Sequence, residues 1–363
     1  MKIVHTEASC GWGGQEIRIL EEARGMMGRG HELTVLCPPD SRIYAEASRF
    51  GVPVQALPIG RKRLPGFFAM RRWLAENQVD VINTHSSTDT WLTALACASL
   101  GRRAPALVRT RHVSVPVPGS RANRWLYGHA SAHVATTGES LRLALIDSLG
   151  LNPARVTSVP TGIDGKRFTP AADRVAAKAA LGLDPSVPIV GIVATLRSWK
   201  GHLYLLDALA ALPQSEVRLV VVGDGPMREN LEVRMAELNL GDRVLLAGQR
   251  TDPERWLQAM DVFCLPSYAN EGVPQAILQA MFCGLPIVTT PVGAIQEAVQ
   301  DGRSALIVPP KDAMALSRAI NEILNNPQMA SRLGSAAHAE AIARFSIDAM
   351  LDRMELVFNQ ALA

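Results

Sequence analysis

The hydrophobic pattern of this chain alternates between two kinds of stretch. Short runs of β-branched and aliphatic residues are apolar at consecutive positions. Between them lie longer segments with apolar residues about one helical turn apart. Lys2–Thr6 predicts a strand, and Gln15–Met27 a helix with Ile17, Leu20 and Ala23 on one face. Glu32–Cys37, Val52–Leu57, Val79–Asn83, Ala106–Thr110 and Ala132–Thr136 predict further strands with helices between them. After the turn-rich stretch Pro160-Thr161-Gly162-Ile163-Asp164-Gly165 the rhythm restarts. The second set of strands is Ile189–Ala194, Arg218–Val222, Val244–Leu246, Val262–Leu265, Ile287–Thr289 and Leu306–Val308. This is the βαβ rhythm of parallel sheets covered on both faces. The fold class is therefore α/β, with two doubly wound, Rossmann-like domains at 1–162 and 163–344. Residues 345–363 are expected to form a last helix that packs back on the first domain. Ligands of such sheets bind beyond the carboxyl ends of the strands, so a cleft faced by both domains is expected to be lined by the loops that follow the strands.

Composition narrows the function classes. Of 363 residues, 48% are hydrophobic and 20% charged, which excludes a disordered chain, a coiled coil and a collagen-like rod. The longest apolar run, Trp91–Leu100, is too short to span a bilayer. Met1–His5 enters a strand pattern at once, with Glu7 where a secretory leader would be apolar, so no leader is expected. Cys10, Cys37, Cys97, Cys264 and Cys283 have no C-x-x-C spacing, which points to a reducing cytosol rather than a disulfide frame or a zinc site. Residues 1–150 hold 18 Lys+Arg against 12 Asp+Glu, and the remainder 19 against 22. A basic first half suggests an anionic partner there.

Four loops could carry chemistry. Gly11-Trp12-Gly13-Gly14-Gln15-Glu16 joins the first strand to the first helix, where glycines let the backbone approach a ligand and free N–H groups meet an anion. It is not the dinucleotide fingerprint, because Glu16 stands where the third glycine belongs. That disfavours a nicotinamide dehydrogenase. Arg197-Ser198-Trp199-Lys200-Gly201 follows the strand Ile189–Ala194 and sets two cations near a helix start, an unfavourable placement unless an anion sits between them. A diphosphate would use both. Gly223-Asp224-Gly225-Pro226 has good turn chemistry, with Pro226 expected to open a helix and Asp224 to cap it. In Pro266-Ser267-Tyr268-Ala269-Asn270-Glu271-Gly272-Val273-Pro274-Gln275, the Glu271 carboxylate can accept hydrogen bonds from a polyol. Gln279 falls four residues after Gln275, on the same helical face.

Taken in order, these loops resemble the retaining nucleotide-sugar glycosyltransferases of glycosyltransferase family 4, which have the GT-B fold. The resemblance spans nearly the whole chain. It rests on Gly13-Gly14-x-Glu16, His112 after a strand, Arg197-x-x-Lys200-Gly201, Gly223-Asp224-Gly225-Pro226 and Glu271-Gly272 followed by Met281-x-Cys283-Gly284-Leu285-Pro286. It implies that Arg197 and Lys200 neutralise a leaving diphosphate, that Glu271 binds donor-sugar hydroxyls, and that His112 lies against the donor hexose. Gly13 and Gly14 would adjoin the phosphates or the acceptor, with Gly223, Gly272, Val273, Gln275 and Ala276 also on the donor. Gln249 and Arg250 fall where the family holds the nucleobase. His85 and Glu16 are the expected acceptor contacts. Two positions depart from the family pattern. Gln279 replaces the glutamate that binds ribose hydroxyls, keeping hydrogen bonding but not charge. Pro274 stands where glycine is common and removes one backbone donor. The Glu-Gly-Val-Pro-Gln sequence is similar to a subgroup associated with surface-polysaccharide and lipopolysaccharide assembly.

No Asp-x-Asp occurs, so the diphosphate is expected to be held by Arg197 and Lys200 without a metal, and no cofactor is expected beyond a UDP- or GDP-sugar substrate. A front-face route with retention is preferred. His129 and His133 are expected to be core or helix-end residues rather than metal ligands, and His202 a surface residue. Arg61–Trp73 combines basic residues with Phe67, Phe68 and Trp73 and suits either a core helix or contact with an anionic membrane surface; nucleic acid is not expected. The leading expectation is a cytoplasmic hexosyltransferase, peripheral on the inner membrane face, acting on a saccharide or glycolipid acceptor. A non-catalytic nucleotide-sugar-binding partner and a sugar-nucleotide epimerase are the alternatives.

Overall fold

The computed structural model describes residues 1–113 and 115–363. Two compact units are formed, one by Met1–Gly162 with Ile347–Ala363 and one by Ile163–Ser346. In the first unit the strands are β1 (Lys2–Thr6), β2 (Glu32–Cys37), β3 (Val54–Ala56), β4 (Val81–Thr84), β5 (Ala106–Arg111), β6 (His133–Thr136) and β7 (Val156–Ser158). They lie in the order β3-β2-β1-β4-β5-β6-β7, all parallel. In the second unit β8 (Ile189–Val193), β9 (Arg218–Val222), β10 (Val244–Gly248), β11 (Val262–Leu265), β12 (Ile287–Thr289) and β13 (Leu306–Ile307) lie in the order β10-β9-β8-β11-β12-β13, again parallel.

Consecutive apolar residues are needed because each strand is covered twice. Ile3, Val35, Val81, Val108 and Ala135 belong to one apolar cluster. Their neighbours Val4, Leu36, Ile82, Leu107 and Val134 belong to a second cluster, as alternation along a strand demands. The strand β3 is shorter than the predicted Val52–Leu57. Pro53 has no N–H to donate, though its carbonyl still accepts from Val35 N at 2.9 Å. The strand β7 was not anticipated. It has three residues, two of them polar, and gains its place by pairing with β6.

The helix Ile347–Leu362 packs on the helix Gly14–Gly28 and on β4–β6 of the first unit. It buries Met350, Leu351, Met354, Val357 and Phe358 alongside Ile19, Leu20 and Ala23. The helix Gly14–Gly28 buries Leu20 and Ala23 of the expected face but leaves Ile17 half-buried, and its covered face extends to Arg18, Ile19, Glu22 and Met26.

In both sheets the strand order reverses beside the first strand: between β1 and β4, and between β8 and β11. These switch points open a crevice at the carboxyl ends of the strands.

Candidate active site

In the first unit the switch point is lined with histidines. His5 lies in β1, His85 directly follows β4, and His112 directly follows β5. Their rings form a chain: His5 Nδ1 to His85 Nε2 at 2.7 Å, and His85 Nδ1 to His112 Nε2 at 2.9 Å. His5 and His85 are buried and His112 is half-buried. Burial, then the Arg18 charge, lowers His5 to about 3. Burial followed by the His5 charge holds His85 well below the usual imidazole range. Burial followed by Arg18 does the same to His112. All three rings are therefore neutral at pH 7.

Carboxyl groups occupy the glycine loop beside this chain. A Cβ on Gly13 would come within 3.8 Å of Glu16 Oε2, and Glu16 is buried. Gly14 begins the helix, with Gly13 as its N-cap. Glu7 accepts from Ser9 N at 2.7 Å and from the Gln15 amide. Burial first, and the Asp89 charge second, push Glu7 up to about 8, so it is largely protonated at neutral pH. Two carboxyl groups at this helix start make a poor phosphate cradle and a good partner for hydroxyls. Sequence reasoning missed His5 and Glu7 as site residues. The available signal was a polar side chain inside or just after a strand otherwise apolar on both faces.

In the second unit the switch point holds opposite charges. Lys200 Nζ donates to Glu271 Oε1 at 2.7 Å and Oε2 at 3.0 Å, and Ser267 Oγ donates to Oε1 at 2.6 Å. Glu271 is buried, and the Lys200 side chain is 20% exposed. Lys200 comes from the 3-10 turn Ser198–Lys200 after β8, while Ser267 and Glu271 come from the loop after β11. The two loops are pinned by the backbone. Tyr268 N donates to Trp199 O at 2.8 Å. Gly201 has φ +79°, and a Cβ there would lie 2.0 Å from Pro266 O. A Cβ on Gly293, after β12, would lie equally close to Glu271 O. Only glycine fits at these contacts.

The remaining expected residues of this unit occupy the turns that follow its strands and the helix after β11. Arg197 is exposed, its guanidinium 5.8 Å from the Trp199 ring. Gly223 N bonds Gly248 O at 2.9 Å and closes the turn after β9. Gln249 and Arg250 are exposed after β10, with Arg250 5.1 Å from the Trp256 ring. Gly272 and Val273 lead into the helix Gln275–Phe282, which has no side-chain cap. The first-turn N–H groups of Gln275 and Ala276 therefore have no intrahelical acceptor. Gln279 is buried on this helix.

Three expectations need correction. His202 is buried, not on the surface, and burial followed by the Lys200 charge lowers it to about 4. Pro226 lies in a turn and the helix starts at Arg228, while Asp224 Oδ1 accepts from Gly225 N rather than capping the helix. The basic-aromatic helix Leu64–Glu76 splits its aromatics. Trp73 is buried and donates to Gln55 at 2.7 Å, but Phe68 is 61% and Leu64 70% exposed, among exposed Arg61, Lys62, Arg63, Arg71 and Arg72. His129 is exposed, and His133 is buried and bonded to Thr157 Oγ1 at 2.8 Å. Among the described residues no helix is long and apolar enough to cross a membrane.

The family model described as Glycosyltransferase Family 4 matches residues 12–167, and the one described as Glycosyl transferases group 1 matches residues 173–340. A D-inositol 3-phosphate glycosyltransferase of Xylanimonas cellulosilytica is 28% identical over 96% of this chain and 92% of that protein. The lipopolysaccharide core biosynthesis mannosyltransferase LpsB of Rhizobium meliloti is 33% identical over 62% of this chain and 63% of its own length. The crystal structure of Anabaena Alr3699/HepE in complex with UDP superposes with a TM-score of 0.85 at 22% identity, covering 99% of this chain and all of that one. Two family models that together span almost the entire chain, over two parallel sheets whose switch points carry polar side chains, establish that this chain is a glycosyltransferase of family 4 with the GT-B fold.

Proposed function

We propose that the protein transfers a hexose from a UDP- or GDP-sugar to a lipid-linked saccharide in surface-polysaccharide or lipopolysaccharide assembly, with retention of configuration and without a metal. The observation that carries this is the Lys200–Glu271–Ser267 cluster at the switch point of the second unit. Glu271 has lone pairs for sugar hydroxyls, and its contact with Lys200 holds it oriented. The exposed Arg197 guanidinium, Lys200 and the N–H groups of Gln275 and Ala276 would receive the diphosphate and stabilise it as it leaves. Gln279 would meet the ribose, Gln249 and Arg250 the base, and Gly223 and Gly272 would keep the loops close to the nucleotide. His112 would accept a hydrogen bond from the donor hexose. Because Glu7 and Glu16 flank the glycine loop, Gly13 and Gly14 suit acceptor hydroxyls better than phosphate, with His85 behind them. No carboxylate is assigned as covalent nucleophile, so the reaction is written as a front-face displacement.

The printed names of the relatives favour phosphorylated polyol or lipopolysaccharide acceptors, and the UDP-bound structural neighbour favours a nucleoside diphosphate donor. The exposed Leu64 and Phe68 among five cations suit the anionic cytoplasmic face of a membrane, where a lipid-linked acceptor would be met.

The test is thermal shift of the purified chain against a panel of UDP- and GDP-sugars, followed by transfer assays with and without a chelator. Selective stabilisation by one donor, with chelator-insensitive transfer that is lost in Glu271→Ala, is the expected result. Donor binding without transfer to any saccharide acceptor, or donor conversion with no acceptor present, would overturn it.

A further inference from the structure

We propose that His5 and His85 are positioning residues that fix His112 in its Nε2-protonated tautomer, so that an unprotonated Nδ1 is offered to a substrate hydroxyl. The argument starts at the far end of the chain. Glu22 and Arg18 are fully buried one turn apart on the helix Gly14–Gly28, with Arg18 Nε 3.5 Å from Glu22 Oε2. Arg18 also donates to Val159 O at 2.8 Å. Burial pushes the carboxyl of Glu22 up and Arg18 down. Held together they keep opposite charges, because a guanidinium does not give up its proton and leaving it unpaired in the interior costs more than pairing it. Glu22 is thus a carboxylate, and a carboxylate only accepts.

That fixes the direction of every bond beyond it. His5 Nε2 lies 3.8 Å from Glu22 Oε1, longer than a hydrogen bond but close enough that two facing lone pairs would repel. Nε2 of His5 therefore carries the hydrogen and its Nδ1 is bare. Across the 2.7 Å contact, His85 Nε2 must then donate to His5 Nδ1. Across the 2.9 Å contact, His112 Nε2 must donate to His85 Nδ1. A neutral imidazole has one hydrogen, so Nδ1 of His112 is left as an acceptor. It has no hydrogen-bond partner among the described residues, and His112 is the one ring of the three that is not fully buried.

The neighbouring charges agree with a neutral chain. Around the rings stand Arg18 and Glu22 of the first helix, Glu7 after β1, Asp89 after β4, and Arg109 and Arg111 of β5, while the helix Ile347–Leu362 offers Phe358, 6.5 Å from His5. The cations among them oppose an imidazolium at His112, and both His85 and His112 sit well below the usual histidine range. The consequence is specificity for a hydrogen-bond donor. A sugar hydroxyl pointed at His112 is held, and an analogue with hydrogen or a methoxy group at that carbon is not.

The inference rests on the reading that His112 meets a sugar hydroxyl, but its first test does not. Histidine-labelled full-length protein would be examined by nitrogen-15 NMR between pH 6 and 8, where shifts separate protonated from bare ring nitrogens. The expected result is neutral rings with Nε2–H at His5, His85 and His112. An Nδ1–H tautomer or an imidazolium at His112 overturns the proposal. The second test replaces the anchor as a charge-balanced pair, Arg18→Met with Glu22→Gln, beside His5→Gln and His85→Gln. Each is expected to change the His112 tautomer population and lower kcat about tenfold, with donor KM unchanged and folding retained by circular dichroism. Unaltered tautomers with unaltered kcat in folded variants would remove the positioning role. If the tautomers are as expected but His112→Ala leaves transfer intact, the relay stands and the sugar contact of His112 falls.

Discussion

The two units use one topology for opposite electrostatics. In each, the residues of interest flank the gap where strand order reverses: His5 and His85 on either side of β1 and β4, Lys200 and Glu271 on either side of β8 and β11. In the first unit the gap is filled by neutral imidazoles and a protonated Glu7. In the second it is filled by an ammonium and a carboxylate in direct contact. Topology chooses where a ligand can be held. The loop residues choose whether it is met by charge or by directed neutral hydrogen bonds. Charge suits a diphosphate that must be neutralised as it departs. Neutral, oriented acceptors suit hydroxyl groups, which gain little from charge and much from geometry.

The largest effect should come from breaking the charged side. Glu271→Ala and Lys200→Ala are each expected to lower kcat/KM about 10²- to 10³-fold, measured by nucleotide release. The double variant should be scarcely worse than either single, because the pair acts as a unit. Additive losses would mean that the two side chains work separately. Next, Gly201→Ala forces a Cβ to within 2.0 Å of Pro266 O at a positive φ. A loss of about 3 kcal/mol in urea unfolding is expected, and a neutral result would show that the loops after β8 and β11 are not locked.

The neutral side has its own test. Glu7 is raised from an unfolded value near 4.5 to about 8. Between these the folded state binds the extra proton. Stability is therefore greatest below pH 4.5 on this account and is lost as pH rises through 8, with a slope of at most about 1.4 kcal/mol per pH unit. Glu7→Gln should flatten that limb in urea titrations at several pH values, and an unchanged slope would place the titration elsewhere. The smallest effect concerns the outer face of the first unit. Phe68 is 61% exposed, so Phe68→Ser should leave stability within about 0.5 kcal/mol. It should weaken sedimentation with anionic vesicles about tenfold. Equal binding by wild type and variant would detach this face from any membrane role.

Much of this architecture was legible in the chain because doubly covered strands must be apolar at consecutive positions, as Ile189–Val193 and Val262–Leu265 are. What escaped was short or polar. Val156–Ser158 carries too little apolar signal to register as a strand, and it forms only because β6 offers an open edge. The candidate site was legible only as a set of loops. Arg197, Lys200, Glu271, His85 and His112 all follow strands, and that position is local information. Their partnerships were not. Lys200 and Glu271 are 71 residues apart, and His5 and His85 are 80 apart. Nothing in spacing says which rings touch. His202 was misplaced for a related reason: the first residue of a helix is usually solvated, and only the packing of the second unit covers it. Arg18 and Glu22 would be assigned to a wet helix face by composition, yet they are buried against Asn83 and Val159 and serve each other.

That helix also dictates an order of assembly. Because residues 347–362 complete a body begun at residue 1, the 184 residues of the second unit are translated in between. At about 5–20 residues per second, Leu20, Ala23 and Met26 wait roughly fifteen to sixty-five seconds on the ribosome for their cover. The segment made second can finish folding first, and the segment made first stays open to chaperones until the last helix arrives.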